Sequence, residues 1–193
     1  TAYELAERLV GSEMCIRDRT EKMPSVRSAA VGIWVRQGSA HESIADAGIS
    51  HMLEHMVFKG TARRTAAEIA IALEGLGGSL DAYTSREHTS FQARVLDEHV
   101  PEAMDVLADL VIGPLITQDD LDLEREVVLE EIAQVDDTPD DLVFELHAEQ
   151  LWDGHPYGRS ILGTQRSVEC MTAEKLRVLQ QKSNTPNNCL LYT

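Results

Sequence analysis

Between Val26 and Gln37 the chain alternates, with Val31, Ile33 and Val35 on one side, a β-branched pattern that predicts a strand. Gly38 to Ser43 is polar and reads as a loop. The period then changes. From Asp46 to Phe58, Ile49, Met52, Leu53, Met56 and Val57 recur at helical spacing, and Gly60 ends the run. Thr65 with Glu68 three residues on is a capping box for a second helix through Ile69 and Leu73, stopped at Gly75, Gly77 and Gly78. Ser79–Ser85 and Thr89–Leu96 are β-like runs joined by a polar turn, which predicts a hairpin. Pro101 suits the first turn of a helix that continues through Ala103 to Val111 and ends at Gly113-Pro114. A long acidic helix is expected from Thr117 or Asp119 to about Val135, and another from Pro139 to near Trp152. A glycine-rich loop spans His155 to Gly163, and Thr172 caps a last helix to about Gln181. Strands mixed with helices and a hairpin favour an α+β fold over a doubly wound parallel sheet.

The 193 residues suit one domain, 43% hydrophobic and 26% charged. No apolar run approaches the ~20 residues that span a bilayer, so no membrane span is expected. The first twenty residues lack a basic start followed by an apolar core, so no secretory signal is expected. A net charge of −16 repels phosphate backbones and argues against nucleic-acid binding. Cys15, Cys170 and Cys189 show neither zinc-knuckle spacing nor a sign of an oxidising compartment, and a cytoplasmic location is expected. Residues 12–19 and 187–193 read unlike the middle and resemble translated adapter tracts.

The chemistry concentrates in His51-Met52-Leu53-Glu54-His55. On a helix, His51 and His55 are i and i+4, so both imidazoles leave one face and can grip one ion. Glu54 stands beside that face, placed to take a proton from a metal-bound water. This is the inverted form of the HExxH zinc-peptidase motif. A catalytic zinc needs a third protein ligand, most often a carboxylate beside two histidines. The long helix offers Glu124, Glu126, Glu130 and Glu131, and spacing does not choose among them. Glu124 and Glu131 are seven apart and share a face, so one can ligate while the other supports it. Glu126 reads as part of a solvated acidic surface. His41, His88, His99 and His147 have no ligand spacing and read as loop or surface residues, and Trp34 and Trp152 as core or core-edge residues.

The run from Gly48 through His51, Glu54 and His55 to Lys59-Gly60-Thr61 resembles the active-site stretch of the pitrilysin/insulinase-type zinc peptidases, the family of insulin-degrading enzyme and the mitochondrial processing peptidase. The resemblance continues through Gly77–Glu87, Glu124–Glu131 and His155–Arg159, and covers about residues 20–182. It implies an α+β fold of the processing-peptidase roll type, an antiparallel-rich sheet with helices packed on one face. Residues 20–182 would be a single zinc-bearing N-terminal half-domain, truncated at both ends, with 1–19 and 183–193 non-native or disordered. It implies zinc (Zn2+) held by His51, His55 and Glu131, with Glu54 as general base and Glu124 as a second acidic residue supporting catalysis. A sheet edge, here Ser79, Leu80, Asp81, Ala82, Tyr83 and Thr84, would accept peptide substrate as an added strand. Asp81 stands where many relatives have Asn. The implied activity is endopeptidase hydrolysis of peptides or unfolded presequence-like segments, with a second homologous half-domain or partner subunit. The alternative is a non-catalytic core or assembly subunit of the same fold. His155-Pro156-Tyr157-Gly158 reads as a structural turn.

Overall fold

The alternation of Val31, Ile33 and Val35 forms strand β1 (Ser28–Val35), paired antiparallel with β3 (Thr89–Leu96) from Ser28↔Leu96 to Val35↔Thr89. The structure is a computed structural model that describes residues 25–75 and 77–192. β3 also pairs antiparallel with β2 (Ser79–Thr84), closing the expected hairpin. Residues 189–192 form a fourth strand, β4 (Cys189–Tyr192), antiparallel to β1, and the sheet order is β2-β3-β1-β4. The described part of the 183–193 end, expected as non-native or disordered, carries this strand. Cys189 pairs with Val35 and Leu191 with Ile33, so the alternate residues of β4 extend the apolar face of β1. The expectation for residues 1–19 falls outside the described residues.

Val31, Ile33, Val35, Phe91, Ala93 and Val95 make one face of the sheet, and the helices cover it. α1 (Ile49–Val57) and α3 (Val100–Ile112) pack directly on the strands. α2 (Ala66–Glu74) follows α1, started by the reciprocal Thr65–Glu68 capping box. α4 (Gln118–Asp137) lies over α1, with the Thr117 hydroxyl accepting from the Asp120 N–H. α5 (Pro139–Leu151) leaves α4 with Pro139 in its first turn and buries none of its residues. α6 (Gln165–Glu169) and α7 (Ala173–Ser183) return to the core through Val168, Met171, Ala173 and Leu176. The sequence pattern does not reveal α6, which spans little more than one turn, although Thr164 and Ser167 form its capping box. Trp152 is not a core residue: it is 43% exposed and packs against His155 and Tyr157 at the turn after α5.

β2 has no further neighbour among the described residues, so its outer edge is open. The pair Ser85–His88 is hydrogen-bonded through the Ser85 N–H and the His88 carbonyl (2.8 Å). Antiparallel pairs alternate, so Tyr83, Asp81 and Ser79 bond into β3 while the N–H and C=O groups of Thr84, Ala82 and Leu80 point to the open edge.

Candidate metal centre

α1 is a nine-residue helix with two unlike faces. Ile49, Met52, Leu53, Met56 and Val57 are buried, whereas His51, Glu54 and His55 are partly accessible on the other side. Its N-terminus is fixed with unusual care. The buried Glu42 carboxylate accepts the N–H groups of Gly48 and Ser50, both at 2.8 Å, satisfying donors that the helix cannot pair itself. Burial pushes the Glu42 carboxyl above the usual range, partly offset by those donors. Gly48 has φ +87°, and a Cβ there would lie 2.3 Å from the Leu162 carbonyl oxygen. Only glycine lets α1 begin against that loop.

α4 supplies the other half of the site. Its inner stripe reads Leu121, Glu124, Val128 and Glu131, so two glutamates occupy core-facing turns of an otherwise acidic helix. Glu126 and Glu130 face solvent. Of the four glutamates left open by spacing, Glu131 is the one that groups with the two histidines as a third candidate ligand among the described residues. Its Oε2 lies 3.6 Å from His51 Nε2 and 3.7 Å from His55 Nε2, and the two Nε2 atoms are 3.3 Å apart. A tetrahedral ion bonded at about 2.0–2.1 Å holds its ligands about 3.3–3.4 Å apart, so this triangle fits zinc with a fourth position left over.

The surrounding groups differ in kind. Glu124 Oε2 lies 3.1 Å from His55 Nδ1, on the opposite side of that ring from the triangle, and Lys59 Nζ contacts Glu124 Oε1 at 2.5 Å. His51 Nδ1 is buried without a hydrogen-bond partner among the described residues. Burial, with His55 nearby, lowers the His51 pKa to about 4, so this imidazole stays neutral and able to ligate at neutral pH. Glu54 is pushed the other way: burial raises its carboxyl above the ordinary range, and the Thr84 hydroxyl, donating at 2.6 Å, partly opposes this. Glu54 directly precedes His55 on α1 and, like both histidines, is partly accessible, which places it beside the triangle.

Thr84 ends β2, so the open strand edge leads directly to Glu54. Of the other edge residues, Leu80 and Ala82 lean on the core, and Asp81 and Tyr83 point outward. Lys59, Thr84 as a donor, and Glu42 are site residues that the sequence pattern does not single out. Each acts across elements; the one signal available was that Lys59 lies four residues beyond His55.

Residues 19–165 match the family described as insulinase, peptidase family M16. The chain belongs to this M16 family. An uncharacterised zinc protease of Mycobacterium leprae is 44% identical over 91% of the chain, and one of Streptomyces coelicolor is 42% identical over the same share. The chain spans about 40% of the length of these M16 relatives. The crystal structure of a protease from Helicobacter pylori superposes with a TM-score of 0.82 over 86% of this chain and 40% of that one, at 23% identity, which shows a shared fold. No helix among the described residues is long and apolar enough to cross a membrane.

Proposed function

We propose that the chain carries the zinc-binding catalytic half of a metalloendopeptidase and works with a second half-domain or partner subunit. The observation that carries this reading is the triangle of His51 Nε2, His55 Nε2 and Glu131 Oε2, with Glu54 beside it. His51, His55 and Glu131 would hold zinc, which when bound acidifies a water and polarises a peptide carbonyl. Glu54 takes the proton of the attacking water and passes it to the leaving amine; its raised carboxyl pKa suits both steps. Thr84 engages Glu54 Oε2 and leaves Oε1 for that exchange. Glu124 fixes His55 from behind. Peptide substrate docks in extended form along Leu80, Ala82 and Thr84, whose outward backbone groups read conformation rather than sequence.

The second half is favoured by the chain's share of its relatives' length and by surface. Leu123 and Val127 on α4 and Val143, Phe144 and Leu146 on α5 stay exposed, apolar area that a partner can cover.

Metal analysis and peptide hydrolysis by the longer protein test the reading. Wild type is expected to hold one zinc, and His51→Ala and Glu131→Gln to lose it. Glu54→Gln is expected to keep zinc and lose hydrolysis. Full zinc content in Glu131→Gln, or wild-type turnover by Glu54→Gln, would overturn the assignment. A zinc-free, inactive longer protein would favour the non-catalytic assembly role.

A further inference from the structure

Glu124 is buried, and both its oxygens are engaged: Oε2 by His55 Nδ1 and Oε1 by Lys59 Nζ. Lys59 is not a loose arm. It is the second residue past α1, its N–H donates to the Met56 carbonyl, and the Gly60 carbonyl that follows accepts from the Leu115 N–H. Its side chain is only 34% exposed.

A neutral imidazole has two tautomers, and only the one protonated at Nδ1 presents Nε2 as a ligand. An acceptor at Nδ1 selects that form and turns the ring. The terminal torsion of a glutamate is soft, so one contact leaves the carboxylate plane poorly set, and a second partner on the other oxygen sets it. His51 is the contrast, because its Nδ1 has no hydrogen-bond partner among the described residues. The protein therefore orients one of the two candidate ligand histidines from α4.

We infer that Lys59 is a positioning residue of the metal centre: through Glu124 it holds His55 in the Nδ1–H tautomer, with Nε2 turned to the ion. This rests on the zinc reading above. It gives the Lys59–Glu124 pair a task beyond neutralising a buried charge, since neutralisation alone would leave the tautomer of His55 unaffected.

The test uses this chain as wild type, Lys59→Met, Lys59→Arg, Glu124→Gln and the Lys59→Met/Glu124→Gln double variant. Zinc affinity is measured by chelator competition, and histidine tautomers by long-range 1H–15N spectra of the metal-free proteins. Lys59→Met is expected to bind zinc about tenfold more weakly. Its His55 signals should shift from the Nδ1–H form to a mixture, with those of His51 unmoved, and Lys59→Arg should restore both readings. In the Glu124→Gln background Lys59→Met should cost nothing further. The double variant leaves no buried carboxylate unpaired, so this comparison stands even if the single variant folds poorly. Unchanged affinity and tautomer in Lys59→Met, or a further loss in the double variant, overturns the inference. A wild-type chain that binds no zinc overturns the metal reading itself, a result separate from any difference among the variants.

Discussion

Glu42 makes the stability of the metal-bearing helix depend on one side chain outside it. Replacing it with alanine leaves the N–H groups of Gly48 and Ser50 buried without acceptors. The expected cost is about 2 kcal/mol, a fall in melting temperature of roughly 4–8 °C for a chain of this size. A thermal melt of Glu42→Ala checks it, and an unchanged midpoint would show that α1 does not need the cap. At this scale the sequence is readable where chemistry is local. His51, Glu54 and His55 declare themselves because a helix puts i and i+4 side by side. Glu131 does not, since four glutamates on one helix differ only in which of them shares the stripe of Leu121 and Val128. The contacts of Glu42 with Gly48 and Ser50, of Lys59 with Glu124 and of Thr84 with Glu54 are invisible for a further reason: they join separate elements, and no spacing rule reaches across a fold.

Elements were legible when their period ran long enough. β1, the hairpin and the helices from α1 to α5 and α7 all lie within a few residues of where the pattern places them. β4 was missed because four residues carry too little alternation to mark a strand, and the segment looked foreign. Its inclusion has a measurable consequence. A chain ending at Asn188 bares the second edge of β1 and uncovers the core side that Leu191 packs against. Leu191 is partly buried, so losing its burial is expected to cost up to about 1.5 kcal/mol, read as a lower midpoint in a thermal melt; no change would mark β4 as dispensable. β2 offers a sharper test. The Ala82 N–H points away from β3, so Ala82→Pro removes a donor from the open edge without breaking the hairpin ladder. In the longer protein this variant is expected to keep zinc and to bind extended peptide at least tenfold more weakly, a loss of about 1.4 kcal/mol. Asp81→Pro, one residue earlier, cuts into the ladder and should instead destabilise the hairpin. Normal peptide affinity in Ala82→Pro would show that substrate does not pair there.

In the whole molecule the candidate ligands come from two layers, α1 on the sheet and α4 above it. An ion bound by both joins those layers only in the folded state, so it should raise global stability. At zinc one hundredfold above its dissociation constant the gain is about 2.7 kcal/mol, a rise in melting temperature of roughly 5–11 °C. Glu131→Gln should lose most of that rise; an equal rise in the variant would place the ion elsewhere. The open edge of β2 has another side. Backbone groups that would accept a peptide will also accept an edge strand of a second copy, which joins the two sheets. Two features oppose it: Asp81 puts an exposed acidic side chain on that edge strand, and the net charge of −16 keeps copies apart. The second weakens as acid approaches the isoelectric point near 4.7. The same strand that suits the chain to handle extended peptides thus sets the acid limit of its colloidal life, which light scattering on Ala82→Pro beside the unaltered chain would separate from plain loss of charge.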